Sequence, residues 1–164
     1  MKRAVCPGSF DPITFGHLDI IERASKQFDE VVVAVFVNRK KEGLFTPQER
    51  IDLIAENVAS YKNVKVEIGS GLLVEYCKTH QIDVIVKGLR AVTDFDYELQ
   101  MAQVHNQASG VESMFMATSP VHSFLSSSIV KELAHYGGDV SSMVPANVNQ
   151  ALQARAASRG NEGK

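Results

Sequence analysis

Residues 6–19, with the sequence CPGSFDPITFGHLD, combine the residue types that bind and polarise phosphate groups. A short apolar run at residues 4–6 stops at Pro7 and Gly8, and apolar residues then recur with helical spacing from Leu18. This order predicts a strand, a glycine turn and a helix. The start of such a helix offers free backbone N–H groups and the positive end of its dipole to a phosphate. Because Gly8 lacks a Cβ, a phosphate can approach the backbone closely at this turn.

His17 falls in the first predicted turn of that helix. A neutral imidazole at this position can donate one hydrogen bond to the same phosphate, and the helix dipole should lower the pKa of the ring. The alternative is that His17 is a cap or surface residue, which is the commoner role of a lone histidine near a helix start.

Two further clusters carry groups suited to phosphate. Residues 87–90, KGLR, end a predicted buried strand, where Lys87 supplies a point charge and Arg90 a rigid fork of donors. A solvated basic loop is the alternative interpretation of this pair. Residues 126–128, SSS, stand at a predicted helix start, where they either cap the helix or offer hydroxyl and N–H groups to phosphates.

Two common nucleotide-binding motifs are missing from the sequence. The P-loop pattern GxxxxGK[ST] does not occur, and Gly69-Ser70-Gly71 begins a GxGxxG pattern in which Val74 takes the place of the third glycine. We interpret residues 69–71 as a turn before a helix.

Three segments resemble the T/HxGH nucleotidyltransferase superfamily and, within it, the phosphopantetheine adenylyltransferase family. They are PGSFDPITFGH at 7–17, KGLRAVTDFDYELQMA at 87–102 and SFLSSSIVKE at 123–132, and the resemblance covers roughly residues 3–155. The broad superfamily often has Arg at the position of Lys131, whereas Lys is normal in the phosphopantetheine branch.

The resemblance implies roles for individual residues. His17 would stabilise the transition state, and Lys41 and Arg90 would join it in catalysis, with Lys40 as the alternative to Lys41. The acceptor substrate would be bound by Ser9, Lys41, Leu73 and Lys87. ATP would be bound by Ser9, Phe10, His17, Gly88, Leu89, Arg90, Glu98, His122, Ser123, Phe124, Leu125, Ser126, Ser127 and Ser128.

The implied reaction joins ATP and 4′-phosphopantetheine to give dephospho-coenzyme A and pyrophosphate, by in-line attack of the acceptor phosphate on the α-phosphorus. The same chemistry on another phosphorylated acceptor, such as nicotinamide mononucleotide, is the nearer alternative. A non-catalytic nucleotide-binding or assembly protein is the farther one. The resemblance also implies a homohexamer. We expect Mg²⁺ to enter with ATP, held mainly by phosphates rather than by a dedicated cluster of protein ligands.

The elements that position these residues alternate between strands and helices. Strands are predicted at 4–6, 30–37, 64–68, 83–87 and 113–118, and helices from about 17, at 46–60, 72–80, 93–108 and 126–136, and from 145. Thr46 begins a capping box, and Thr93 or Asp94 should cap the next long helix. The pattern predicts an α/β fold, a single doubly wound, Rossmann-like domain with about five parallel strands. Its ligands should bind beyond the carboxyl ends of the strands. We expect this domain to span residues 1–157 and residues 158–164 to form a flexible tail.

Composition limits the classes of partner. The chain has 164 residues, is 45% hydrophobic and 22% charged, and carries a net charge of −2. This charge predicts neither nucleic-acid binding nor a polybasic membrane patch. No apolar run approaches the ~20 residues that span a bilayer, and we expect no signal peptide. The two cysteines, Cys6 and Cys77, should be buried thiols in a reducing compartment, so a cytoplasmic location is expected.

Overall fold

The computed structural model describes residues 1–37 and 42–161. Five strands form one sheet: β1 (Arg3–Gly8), β2 (Glu30–Phe36), β3 (Val64–Gly69), β4 (Val84–Leu89) and β5 (Glu112–Ala117). All neighbouring strands are parallel, in the order β3-β2-β1-β4-β5. The prediction of a doubly wound, Rossmann-like α/β fold with five parallel strands is confirmed.

The strand order reverses at β1. The chain runs outward from β1 to β2 and β3, and then returns to place β4 on the other side of β1. Ala4 lies beside both Val31 of β2 and Val84 of β4. In sheets of this kind ligands bind beyond the carboxyl ends of the strands at the point of reversal. The turns that follow β1 and β4 therefore open side by side.

In the described residues, six α-helices flank the sheet: α1 (Phe15–Ser25), α2 (Pro47–Val58), α3 (Leu73–Thr79), α4 (Val92–Ser109), α5 (Ser127–His135) and α6 (Ala146–Asn161). A 3-10 turn at Pro120–His122 precedes α5. Thr46 and Glu49 form the predicted capping box of α2, and Thr14 and His17 form a second one at α1. Gly110 ends α4 with a φ of 72°, a left-handed conformation that glycine adopts without strain.

The strand side chains alternate between two apolar clusters, one on each face of the sheet. The larger cluster contains Val31, Val33 and Val35 of β2, and it receives apolar residues of α1, α2, α5 and α6. The smaller cluster contains Val32 and Ala34 and receives residues of α3. Val148 and Leu152 of α6, four residues apart on one side of the helix, are buried in the larger cluster. Cys6 and Cys77 are both free and buried, as predicted.

Several predicted boundaries differ from the structure. Strand β1 continues through Gly8, so Pro7 and Gly8 pair with β2 and are not the turn that the sequence predicted there. Strand β4 continues through Leu89, two residues past the predicted end. Helix α4 begins at Val92 behind Ala91, and neither Thr93 nor Asp94 is its N-cap. Helix α6 runs to Asn161, so the predicted domain boundary at 157 falls inside a helix. The flexibility of residues 158–164 stays a prediction.

Candidate active site

A cavity of about 290 Å³ opens at the carboxyl ends of β1 and β4, where the strand order reverses. Its walls come from the turn after β1, the start of α1, the end of β4, and the segment between β5 and α5. Ten predicted site residues line it: Phe10, His17, Lys87, Gly88, Arg90, Glu98, His122, Leu125, Ser126 and Ser127. Three segments that are far apart in the chain are thus brought together at one site.

The remaining predicted site residues lie elsewhere or outside the described part of the chain. Ser9, Leu73, Leu89, Ser123, Phe124 and Ser128 do not line this cavity. The Ser9 side chain is exposed, while its carbonyl oxygen accepts a hydrogen bond from Arg50. Leu73, the first residue of α3, packs against the smaller apolar cluster. Lys41 and its alternative Lys40 lie outside the described residues, so their roles stay predictions.

His17 is held in one orientation by the residue that caps its helix. The backbone N–H of Thr14 donates to Nδ1 of His17 at 3.1 Å. Since a backbone N–H can only donate, Nδ1 accepts, and the proton of the neutral ring resides on Nε2. The ring also meets the edge of Phe10 at a centroid distance of 5.2 Å. His17 is therefore both a cap, as the commoner interpretation holds, and a donor positioned at the cavity.

The environment of His17 keeps the ring neutral. Burial and then the positive charge of Arg90 lower its pKa to about 4. The direction agrees with the sequence-based expectation, but the leading cause is removal from water rather than the helix dipole. A neutral Nε2–H donor is thus present over the whole physiological range of pH.

This shifted pKa predicts a pH dependence of stability. Unfolded His17 titrates near ~6.5, so between this value and about 4 the unfolded chain binds a proton that the folded chain does not. The contribution of His17 to the free energy of unfolding is fully present above the unfolded pKa and decreases as the pH falls through that window. Urea unfolding of the wild type and of His17→Gln at pH 7.5 and 4.5 measures the effect. The wild type should lose more stability than the variant, and equal losses would contradict the lowered pKa of the His17 ring.

Arg90 is oriented by two neighbours. Its Nε and one terminal nitrogen donate to the two carboxylate oxygens of Asp94 at 3.2 and 3.3 Å. The other terminal nitrogen donates to the carbonyl oxygen of Leu125 at 3.0 Å. The guanidinium has five N–H donors, so two remain to point at a ligand. Asp94 was not predicted as a site residue, because Arg90 lies before α4 and the spacing of the two residues within a helix could not indicate their contact.

Lys87 lies in β4, as its predicted strand has it, and Gly88 belongs to the same strand rather than to a loop after it. Lys87 faces the cavity and lies 3.5 Å from Glu98 of α4, so the two charges are paired in the free protein. A Cβ at Gly88 would lie 2.9 Å from Cγ1 of Ile20 in α1. The structure thus gives the glycine a packing reason, close contact between α1 and β4.

The serines at the start of α5 have structural partners. Oγ of Ser126 accepts from the N–H of Ile129 at 3.2 Å and caps the helix. Oγ of Ser127 donates to the carbonyl oxygen of Pro12 at 2.7 Å, which ties α5 to the turn after β1. Ser127 donates its hydroxyl proton to Pro12, whereas the capping bond uses Ser126 only as an acceptor and leaves its O–H able to donate. A phosphate in the cavity could therefore accept from the Ser126 hydroxyl and from backbone N–H groups of this helix start.

Further residues that line the cavity escaped the sequence-based analysis. Thr14, Thr118 and Ile20 also line the cavity, the first as the cap of α1 and the second at the end of β5.

Among the described residues, no cluster of three or more His, Cys, Asp or Glu side chains is arranged to hold a metal ion. In the same ranges, no helix has the length and apolar character needed to cross a membrane.

Comparisons with known proteins agree with this geometry. Residues 5–133 match the model of the family described as cytidylyltransferase-like. A phosphopantetheine adenylyltransferase of Streptomyces coelicolor is 62% identical over 97% of this chain and 100% of its own length. One from Frankia alni is 60% identical over 95% of this chain and 99% of its own.

A solved structure resembles the fold. It belongs to a protein from Vibrio parahaemolyticus described as a candidate nicotinate-nucleotide adenylyltransferase. The TM-score is 0.68 over 93% of this chain and 99% of that chain, and the sequences are 18% identical, which supports the fold alone. The curated relatives are far more similar and nearly full length. The chain therefore belongs to the cytidylyltransferase-like family and, within it, to the phosphopantetheine adenylyltransferases.

Proposed function

We propose that this chain transfers the adenylyl group of ATP to 4′-phosphopantetheine, giving dephospho-coenzyme A and pyrophosphate. The observation that carries the proposal is the cavity at the reversal of strand order, where the Nε2–H donor of His17, the cations Lys87 and Arg90 and the start of α5 converge. Phosphate groups are the ligands that this set of donors fits. The names and near-complete coverage of the relatives support the choice of reaction.

The proposed reaction is a direct in-line displacement. An oxygen of the acceptor phosphate forms a bond to the α-phosphorus of ATP, and the bond from this phosphorus to the oxygen bridging it to the β-phosphate breaks. The electron pair of the broken bond leaves with pyrophosphate. A phosphate monoester is largely deprotonated at neutral pH, so the attack requires no general base. The protein contributes positioning and stabilisation of charge.

Several of the predicted site residues have a proposed part in this reaction. His17 donates to an oxygen of the α-phosphate as negative charge develops there. Arg90, held by Asp94, and the N–H groups at the start of α5 bind the phosphates that leave as pyrophosphate. Lys87, at the end of β4, binds the acceptor phosphate. Ser9 and Phe10 would orient the acceptor with their backbone N–H groups, and Lys41 would bridge the two substrates.

We propose that Mg²⁺ accompanies ATP. Glu98 is the one carboxylate among the cavity-lining residues that the structure describes, and it is already paired with Lys87. Magnesium sites in nucleotide enzymes commonly use few protein carboxylates together with substrate phosphates, which this donor set fits. The ion would supply neutralisation of phosphate charge, with Glu98 as the residue able to reach it or its water shell.

We also propose a cytoplasmic homohexamer. The surface of α4 supports association, because none of its residues is buried and Val92, Tyr97 and Val104 are 79%, 63% and 56% exposed. Exposed apolar residues on one helix are typical of a surface that meets another subunit. The buried, free thiols of Cys6 and Cys77 suit a reducing compartment.

The acceptor is the decisive test. Purified protein with ATP and Mg²⁺ should release pyrophosphate when 4′-phosphopantetheine is added. Release should be lower by at least ~10²-fold with nicotinamide mononucleotide, since a mismatched acceptor forfeits the interactions that orient it. A coupled pyrophosphate assay measures both rates.

Comparable turnover with nicotinamide mononucleotide would show that the proposed acceptor is wrong, while the assigned class of reaction would stand. Nucleotide binding by calorimetry without pyrophosphate release from any acceptor would favour the non-catalytic alternative. Dephospho-coenzyme A detected by mass spectrometry is the positive control for product identity.

A further inference from the structure

Asp11 in the turn after β1 is a buried carboxylate that the proposed reaction does not use. It is 5% exposed, and both of its oxygens have partners. Oδ1 accepts from the N–H of Phe45 at 2.9 Å and lies 3.4 Å from Nε of Arg50. Oδ2 accepts from the N–H of Leu44 at 2.9 Å and from Nζ of Lys131 at 3.0 Å. One carboxylate thus joins the turn to the segment before α2, to α2 and to α5.

The same turn is fixed on both sides of Asp11. Arg50 donates a further hydrogen bond to the carbonyl oxygen of Ser9 at 3.1 Å. Ser127 of α5 donates to the carbonyl oxygen of Pro12 at 2.7 Å. Between them, Phe10 adopts a positive φ of 45°, which L side chains rarely take, and its ring rests on His17. A residue with positive φ persists only where its surroundings over-determine it.

The charge of Asp11 is matched to its partners. Burial alone raises the pKa of this carboxyl, but the N–H groups of Leu44 and Phe45 and the ammonium of Lys131 outweigh it, and the net pKa is lowered. A buried carboxylate that lost these donors would be strongly destabilising, as would the cations left behind without it. An amide at this position has one acceptor oxygen and could satisfy only half of the contacts.

We propose that Asp11 is a positioning residue, whose carboxylate locks residues 9–12 to α2 and α5 and thereby holds Phe10 against His17 at the cavity. The expected effect on catalysis rests on the proposed function. The expected effect on the position and environment of the His17 ring does not. The contact chain runs from Lys131 and the N–H groups of Leu44 and Phe45 through Asp11 to Phe10, and from Phe10 to the imidazole.

The test compares Asp11→Asn with a matched loss of an ion pair elsewhere. Glu30 at the other end of the sheet is also a shielded carboxylate, bound by Arg3 and Lys65, with 15% of its side chain exposed. Glu30→Gln is therefore the control for general destabilisation. The double variant Asp11→Asn/Lys131→Met removes Lys131, one of the two cations that face Asp11, while Arg50 stays in place. It should recover part of the thermal stability that the single variant loses.

Two readouts separate positioning from stability. An NMR titration of the imidazoles should show the pKa of His17 at about 4 in the wild type and in Glu30→Gln. In Asp11→Asn and in the double variant the pKa of His17 should rise toward its ordinary value of ~6.5, because Phe10 no longer shields the imidazole from water. In the adenylyl-transfer assay kcat should fall about tenfold in both Asp11 variants, with a smaller change in ATP affinity, since a displacement well under ~1 Å has this order of cost.

The NMR readout is independent of the acceptor, so the inference can fail while the proposed reaction stands, and the reverse. A double variant with an unshifted His17 and the kcat of the wild type would overturn the positioning role and leave Asp11 a purely structural carboxylate. An equal shift of His17 in Glu30→Gln would also overturn it, because loosening of the whole fold would then be the cause.

Discussion

Replacing His17 with alanine should lower kcat by roughly 10²–10³-fold, the cost of losing one donor to charge that develops in the transition state. The affinity for ATP should stay nearly unchanged, because such a donor gains most after the ground state has formed. The structure supports this distinction. With Nδ1 accepting from Thr14 and the pKa at about 4, the ring is a neutral donor through Nε2 and not a cation that would attract any phosphate.

The measurement pairs steady-state kinetics with calorimetry of ATP binding. His17→Asn and His17→Gln each retain an N–H donor and differ in reach by one methylene, so partial recovery in either one would identify hydrogen-bond donation as the function. His135→Ala, an exposed histidine of α5, is the matched control and should behave as the wild type. If ATP affinity fell in step with kcat, His17 would be an ordinary binding residue, and full activity would leave only its capping role.

Replacing Arg90 with alanine should weaken ATP binding by about 1.5–3 kcal/mol, the usual worth of hydrogen bonds to a charged group. This corresponds to roughly 10–150-fold in the dissociation constant. Asp94 and the carbonyl oxygen of Leu125 already hold the guanidinium, so little side-chain freedom is lost when a phosphate binds. The affinity for the acceptor should change much less.

Lys87→Ala is the reciprocal variant and should chiefly weaken the acceptor. The two cations flank Gly88 and Leu89, but each is paired with a different carboxylate of α4, Asp94 for Arg90 and Glu98 for Lys87. Titration of each substrate against each variant gives four affinities. If the two effects were interchanged, the assignment of phosphates to the cations would be reversed.

Much of the fold could be predicted because the local signals agreed with the tertiary structure. The run of valines in β2 is buried on both faces, and the capping box at Thr46 begins α2 where predicted. The end of β4 was missed because Gly88 reads as the end of the strand, whereas pairing with β5 continues through Leu89. The start of α4 was missed because its N-cap is Ala91, which has no side chain able to cap.

The individual residues of the site could be predicted, but the contacts between distant segments that position them could not. His17, Lys87 and Arg90 each lie in a recognisable motif, and the sheet brings these motifs to one cavity. The partners of Asp11 could not be found from sequence, because Leu44 is 33 positions away and Lys131 is 120 positions away. A carboxylate inside a motif full of phosphate-binding groups also gives no local sign that it is buried.

The central place of β1 links the cavity to the folding of the whole sheet. Ala4 and Val5 of β1 pair with Val84 and Ile85 of β4. The cavity therefore forms only when strands from the two halves of the chain have paired. Contacts this distant in sequence form late and slowly in folding, since a long loop must first be ordered. No fragment that ends before β4 contains the cavity, so its ligands bind the native state alone. Nucleotide in solution should therefore stabilise the entire domain by mass action, with the free energy of unfolding increasing with the logarithm of its concentration.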